Sequence, residues 1–177
     1  MTNDQHFAVL KQGPLTWNEW RLKSPEIRPD LRNAPLHEMN LEGINLQGAD
    51  LREASLFKTN LAKANLVGAN LNSADLRQTN LQGANLSQAN LVSADLRKAN
   101  LKGANLAAAD LRVAFLRQAN LSQAIVDQAN LDRADLSLVN LQGTSFVRVN
   151  LQTTNLVGSN LHEANLTEAI VPNNLNF

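Results

Sequence analysis

Histidine is the side chain most often used for proton transfer and metal binding near neutral pH, and its spacing indicates whether such a site can form. The chain has three histidines: His6, His37 and His162. Long stretches of sequence separate them, which is not the spacing of a metal site. The chain also lacks cysteine, so it has no thiolate nucleophile and no cysteine-ligated zinc. We therefore predict isolated, solvated histidines, no catalytic residue, no metal site and no cofactor.

A second candidate for chemistry is a set of acid–base pairs in which Asp and Arg lie two residues apart. The pairs are Asp50/Arg52, Asp75/Arg77, Asp95/Arg97 and Asp110/Arg112. Residues two apart on an extended segment point the same way, so we predict exposed ion pairs, which individually contribute little. Gly43 and Gly48 have the spacing of a phosphate-binding loop, but Ala49 and Asp50 follow where Lys and Ser or Thr are required. The sequence therefore predicts that the protein is not an enzyme.

Length and composition exclude several further classes of protein. The chain has 177 residues, which favours one domain, and 44% of them are apolar while only 4% are aromatic. Lys and Arg together number 16, as do Asp and Glu, and this neutral balance argues against nucleic-acid binding. No long apolar run predicts a membrane span, and the first residues do not resemble a signal peptide. We expect a soluble, cytoplasmic protein.

The elements that position these side chains are defined by a repeat of five residues. Every fifth position from Leu31 to Val171 makes 29 sites, and Leu occupies 26 of them. Two residues earlier, from Ala34 to Ala169, Ala occupies 19 of 28 sites. The position just before the Leu is Asn at 17 and Asp at 5 of 27 sites from Asn40 to Ile170. The unit is therefore Ala-(Asn/Asp)-Leu-x-x, repeated without an insertion.

A period of five fits neither a helix nor a flat strand. It would place the leucines on all sides of a helix and on alternate faces of a strand. The chain must bend once in each repeat so that Ala and Leu both point inward. One phase repeats Asn every twenty residues: Asn40, Asn60, Asn80, Asn100, Asn120, Asn140 and Asn160. Four repeats therefore form one coil, and about seven coils at ~4.8 Å would make a rod of roughly 34 Å.

The repeat resembles that of the pentapeptide repeat proteins, whose motif is Ala-(Asp/Asn)-Leu-x-x, over residues 31–171. The resemblance implies an all-β solenoid, a right-handed quadrilateral β-helix. The preceding GPLTWNEWRLKSPEIRPDL resembles leaders of some cyanobacterial members. We divide the chain into an N-terminal helical cap (1–30), the β-helix (31–171) and a C-terminal tail (172–177).

Both ends of such a rod need caps, because they would otherwise expose apolar surface and unpaired strand edges. We predict a helix over Asp4–Gln12. We predict a second helix that begins with a capping box at Thr16–Glu19 and ends near Lys23. Trp17 and Trp20 on the second helix cover the first coil or, alternatively, anchor a partner. At the other end, Leu175 and Phe177 either fold over the last coil or lie where two rods meet end to end as a homodimer. The resemblance to the family suggests the homodimer.

The outer surface carries one column of like charges that the repeat does not require. Arg77, Arg97 and Arg117 recur at twenty-residue intervals, Phe57 stands one interval before them, and Phe115 interrupts a column of Asp. Arginine and aromatic residues are enriched at binding hot spots, so these five residues are a candidate protein-binding face. The alternative is a solvated surface whose charges neutralise each other.

We therefore predict a non-catalytic interaction or scaffold protein with an unidentified protein partner. The family resemblance suggests an alternative, a DNA mimic that modulates DNA gyrase. Such a mimic needs a strongly negative rod, whereas residues 31–171 contain 12 basic and 12 acidic side chains. A mechanical spacer without a specific partner is the third hypothesis.

Overall fold

A computed structural model describes residues 3–172, and it begins with two short helices. Helix α1 spans Asp4–Leu10, and the side chain of Asn3 caps it by accepting hydrogen bonds from the amides of Gln5 and His6. Helix α2 spans Pro14–Lys23. The predicted first helix is therefore two residues too long, and the predicted capping box is wrong. Helix α2 starts at Pro14 because proline suits a first helical position, where its missing N–H is not needed.

From residue 30 onward the chain forms isolated parallel bridges, each one residue long, in place of extended strands. Each bridge joins residues twenty apart, from Asp30↔Asp50 to Asn150↔Ile170. The amide of Leu41 donates to the carbonyl of Asn60 at 2.7 Å, and the amide of Asn60 donates back to that of Met39 at 2.9 Å. Four short turns therefore return the chain to the same corner one coil further on, which makes a four-sided β-helix.

Leucine and alanine fill the inside of this β-helix. The central Leu side chains from Leu31 to Leu151 and the Ala side chains two residues before them are almost wholly buried. Val126 and Phe146 occupy central sites in the same way. Where Thr replaces Ala its hydroxyl also finds a partner: Thr59 Oγ1 donates to the Leu36 carbonyl at 2.6 Å. The interior is a packed core, and the buried hydroxyls of Thr59, Thr79, Thr144 and Thr154 are paired with backbone carbonyls.

The third residue of the turns adopts a left-handed backbone conformation. Glycine fits this conformation best, but other residues also adopt it here. Lys58 has a φ of 55° and Val113 a φ of 50°. Among the described turns from Asn33 to Glu168, only Thr153 departs from this pattern. Its Oγ1 accepts the hydrogen bond of the Arg133 amide at 3.1 Å. A β-branched residue fits the left-handed region poorly. Val113 nevertheless adopts it, whereas Thr153 does not, and the Arg133 amide bonds to the Thr153 side chain in place of a backbone carbonyl.

The asparagines before the central leucines hold the turns by two kinds of hydrogen bond. Asn60 Oδ1 accepts from the amide of Ala62 at 3.2 Å, so the side chain closes a local turn. Asn60 Nδ2 donates to Asn40 Oδ1 at 2.9 Å, and Asn80 Nδ2 donates to Asn60 Oδ1 at 3.0 Å. The asparagine column is therefore a structural ladder along the β-helix.

Helix α2 lies against the first coil and supplies partners for backbone groups that no preceding coil can reach. Trp17 is fully buried, and its Nε1 donates to the carbonyl of Asn45 at 2.7 Å. Asn18 accepts from the amide of Asn45 at 2.8 Å and donates to the carbonyl of Gly43 at 3.1 Å. Arg21 donates to the carbonyl of Gln47 at 3.0 Å. These side chains therefore join α2 to the backbone of residues 43–47.

The histidines do not all behave as the sequence predicts. His6 is half-buried, its Nδ1 accepts from the amide of Asp30 at 3.0 Å, and its ring lies 5.3 Å from that of Trp20. The prediction of a solvated side chain is therefore wrong for His6. His37 and His162 are exposed. Neither helix in the described part of the chain is long and apolar enough to cross a membrane.

Candidate protein-binding surface

The β-helix brings the five predicted surface residues onto one side. The amide of Gln78 donates to the carbonyl of Arg97 at 3.0 Å, and the amide of Lys98 donates to that of Arg117 at 3.1 Å. Arg77, Arg97 and Arg117 therefore occupy the same turn in three successive coils. We call Phe57, Arg77, Arg97, Phe115 and Arg117 together the Arg–Phe surface.

Two members of this surface, Arg77 and Arg97, each bond to a carboxylate two residues earlier in the chain. Arg77 Nε and an Nη atom donate to the two carboxylate oxygens of Asp75 at 2.7 and 2.6 Å. Arg97 makes the same two contacts with Asp95, at 2.8 and 2.5 Å. The hydrogen bond from Arg77 lowers the pKa of Asp75, and the bond to Asp95 raises the pKa of Arg97. The prediction of exposed Asp–x–Arg ion pairs is confirmed for these residues.

Phe115 breaks this arrangement without disturbing the backbone. It forms the same bridges as its column neighbours, Asp95↔Phe115 and Phe115↔Asp135, so it occupies the position of an Asp. Its side chain remains 49% exposed. Arg117 therefore lacks the carboxylate that Asp95 supplies to Arg97 in the preceding coil. Within residues 3–172, no side-chain hydrogen bond or ion pair of Arg117 takes its place.

Phe57 lies at the other end of the surface and is shared by two cations. The guanidinium carbon of Arg77 is 5.4 Å from the ring centre, and Lys58 Nζ is 5.0 Å from it. Lys58 also lies 3.8 Å from a carboxylate oxygen of Glu38. Phe57 is half-buried, and these cation–π contacts orient Arg77 across the surface.

Two adjoining grooves run along the surface, and Arg97 lines both. The first has a volume of about 300 Å³ and is lined by Phe57, Arg77, Gln78, Arg97, Lys98, Arg117 and Gln118. The second, of about 230 Å³, contains Phe115 beside Asp75, Asp95 and Arg97. Every charged residue that lines the first groove is a cation. The surface is thus a pair of shallow grooves, one cationic and one with an exposed aromatic ring.

The predicted residues at the two ends have different outcomes. Trp17 is buried and bonds to Asn45 of the first coil. Trp20 is half-buried, and its ring centre lies 4.9 Å from that of Trp17 and 5.3 Å from that of His6. Leu175 and Phe177 lie outside the described residues. Sequence reasoning missed Arg21, which is only 8% exposed. Its position one helical turn after Trp17 places it on the same face of α2, and that spacing was the available signal.

Comparison with known families agrees with this geometry. The family model for pentapeptide repeats, containing eight copies, matches residues 30–72, 69–106, 99–137 and 134–171. The chain therefore belongs to the pentapeptide repeat family, whose fold is a right-handed quadrilateral β-helix. Members are generally non-catalytic structural or interaction proteins.

Among solved structures the chain is similar to two pentapeptide repeat proteins of Nostoc PCC 7120. HetL, involved in heterocyst differentiation regulation, is 33% identical, with 82% of this chain and 78% of HetL covered and a TM-score of 0.40. For alr5209 the identity is 33%, the coverage 57% of this chain and 83% of that one, and the TM-score 0.43.

A more distant similarity joins the chain to QnrB1, a plasmid-mediated fluoroquinolone resistance protein. The identity is 15%, the coverage 76% of this chain and 79% of QnrB1, and the TM-score 0.44. No curated protein matches the sequence.

Proposed function

We propose that this chain is a non-catalytic protein-interaction module that binds its partner through the Arg–Phe surface. The observation that carries the proposal is Phe115, an exposed aromatic ring in register with a column of Asp, beside Arg117 without a carboxylate. Arg and aromatic side chains supply much of the binding energy at protein interfaces. A rigid solenoid holds them in place before binding, which reduces the entropy lost on association.

The described core favours binding over catalysis. Leu and Ala fill the inside of the β-helix, and the grooves on the Arg–Phe surface are shallow. No three His, Asp or Glu side chains in the described part of the chain converge on a possible metal position. The carboxylates of Asp75 and Asp95 are held by arginines, so neither is placed to accept a proton from a substrate.

The gyrase-directed DNA mimic is the lesser candidate. A mimic must present closely spaced negative charge, whereas this surface is cationic and the repeats are neutral overall. Inhibition of gyrase supercoiling near equimolar protein would reverse the order of these two proposals.

We further propose that residues 30–170 make about seven coils and that α1 and α2 form the cap of the first. Bridges twenty residues apart support the coil length. The contacts of Trp17, Asn18 and Arg21 with the backbone of residues 43–47 support the cap.

An end-to-end homodimer through the last coil is a separate proposal. Leu161, Leu166 and Val171 occupy central sites but are only partly buried, unlike the leucines of the middle coils. A second copy would cover them by continuing the column of apolar side chains. Sedimentation of Leu166→Glu as a monomer, beside a wild-type dimer, would support this; a monomeric wild type would contradict it.

The interaction surface is tested by affinity capture from native lysate with mass spectrometry. The Arg97→Glu/Phe115→Ala variant is compared with the wild type and with Ile125→Ala, a matched control. Ile125 is 45% exposed and occupies the same position of a repeat two sides further on, on the opposite side of the β-helix. A partner lost with the double variant and kept with the control supports the proposal. Identical capture by all three proteins overturns it and favours a mechanical spacer.

A further inference from the structure

The cations of the Arg–Phe surface are not compensated equally along the β-helix. Arg77 and Arg97 each hold a carboxylate of their own turn. Lys98 and Arg117, which are adjacent through the bond from the Lys98 amide to the Arg117 carbonyl, have no ion pair within residues 3–172. Like charges on neighbouring coils repel one another. The surface therefore has a surplus of positive charge at one end of the groove.

The surplus results from a single residue, Phe115. An Asp at this position would pair with Arg117 as Asp95 pairs with Arg97, and Asp95 and Asp135 stand directly beside it in the column. Phe115, which is 49% exposed, places an aromatic side chain at the position of that carboxylate. The surplus charge and the exposed ring therefore lie in two adjoining grooves that share Arg97.

We propose, on the basis of the interaction function above, that the partner presents an acidic segment with a large apolar side chain next to its carboxylates. A carboxylate of the partner binds Arg117 and Lys98 and so supplies the charge that Phe115 displaces. The adjacent apolar side chain packs on the ring of Phe115. The bidentate geometry of an Arg–carboxylate pair makes such contacts short and directional.

The flanking charges favour a polypeptide over a nucleic acid as the partner. Nucleic-acid binding depends on many lysines and arginines facing phosphates in series. Here Asp75 and Asp95 alternate with the arginines and would lie against any continuous phosphate backbone. A peptide can place its carboxylates at one end of the groove only, where the surplus lies.

The inference is tested by fluorescence polarisation with a labelled peptide that repeats Asp-Glu-Phe-Gly. The comparison peptides repeat Asn-Gln-Phe-Gly, which removes the charge, and Asp-Glu-Ser-Gly, which removes the apolar side chain. Labelled double-stranded DNA provides the nucleic-acid arm. We expect the acidic aromatic peptide to bind about tenfold more tightly than either comparison peptide, and added salt to weaken it.

The decisive variant is Phe115→Asp, which restores the repeat and the ion pair of Arg117 and so preserves the fold. It should weaken binding of the acidic peptide about tenfold. Its control, Ile125→Asn, makes the equivalent exchange on the opposite side of the β-helix, where Asn105 precedes it in the column, and should leave binding unchanged. The inference would be overturned if Phe115→Asp bound the acidic peptide as tightly as the wild type does. It would also be overturned if the wild type bound the uncharged peptide equally well, or bound the DNA more tightly than the acidic peptide.

The experiment also separates this inference from the proposed function. Suppose that a partner from the lysate is lost with Phe115→Asp but is not displaced by the acidic peptide. This result overturns the inference that the partner presents an acidic segment, and it still supports the Arg–Phe surface as the interaction surface. Failure of the peptide together with unchanged capture from lysate overturns both.

Discussion

The indole Nε1 of Trp17 donates a hydrogen bond of 2.7 Å to the carbonyl oxygen of Asn45. In later coils the corresponding carbonyl accepts from the preceding coil, as that of Asn65 accepts from the amide of Leu46. The first coil has no such neighbour, and a tryptophan side chain takes its place. Trp17 therefore bonds to a backbone group of the first coil that bonds to a neighbouring coil elsewhere in the β-helix.

Trp17→Phe should destabilise the protein by about 1–3 kcal/mol, because it leaves the partly buried carbonyl of Asn45 without a donor. Urea unfolding followed by far-UV circular dichroism measures the change. Leu15→Phe is the control, since Leu15 on the same helix is 83% exposed. Equal unfolding midpoints for Trp17→Phe and the wild type would show that the bond contributes nothing.

Arg21→Met should also destabilise the protein, by about 1.5–3 kcal/mol for a charged hydrogen bond to a backbone carbonyl. Arg21 binds the carbonyls of Ile27 and Gln47, and burial lowers its pKa. Met keeps most of the apolar volume and removes the donors. Both tryptophans lie on α2, so intrinsic fluorescence follows the release of this helix. Lys23→Met, at an exposed position, should unfold like the wild type.

Acid should destabilise the protein through the Asp–x–Arg pairs. The bond from Arg112 lowers the pKa of Asp110, and that from Arg32 lowers the pKa of Asp30 to about 2. A carboxyl group whose pKa is lower in the folded than in the unfolded protein stabilises the fold at pH values above the unfolded-state pKa of about 4. This stabilisation is lost as the pH falls through the folded-state pKa. The melting temperature should therefore fall between about pH 4 and pH 2.

Asp110→Asn identifies the contribution of one pair to this acid dependence. Asn occupies neighbouring positions of the same column at Asn90 and Asn130, so the fold accepts it. The variant should lose less stability than the wild type over the same pH range. A melting temperature with an unchanged pH dependence would exclude the Asp110–Arg112 pair as a source.

Amide hydrogen exchange should detect the irregular turn at Thr153. The bridge expected between Asn130 and Asn150 is absent from the described series, and the Arg133 amide bonds to a side chain. The amides of Leu131 and Arg133 should exchange faster than those of Leu111 and Val113, one coil earlier. Thr153→Gly, which permits the left-handed turn, should slow both amides; unchanged exchange would contradict this account.

Much of the architecture follows from the sequence because one short rule is repeated so often. The period of five places Leu and Ala inward, and the period of twenty relates residues on adjacent coils. The start of α2 is harder to predict, since Pro14 and Thr16 are both good helix openers. In the structure the helix begins at Pro14, and Trp17 and Asn18 bond to the first coil. His6 was misjudged because its partner, Asp30, is distant in the chain.

The sequence alone determined the coil, the inward and outward positions, and the column that unites Arg77, Arg97 and Arg117, because periodicity is a property of the sequence. Only the tertiary structure decided which charges remain uncompensated. Whether Arg117 finds a carboxylate depends on contacts between coils, and Phe115 is in register with Asp95 and Asp135 without supplying one. The tertiary structure also decided that Arg21 is buried, because α2 packs against the first coil, where Arg21 bonds to the carbonyl of Gln47.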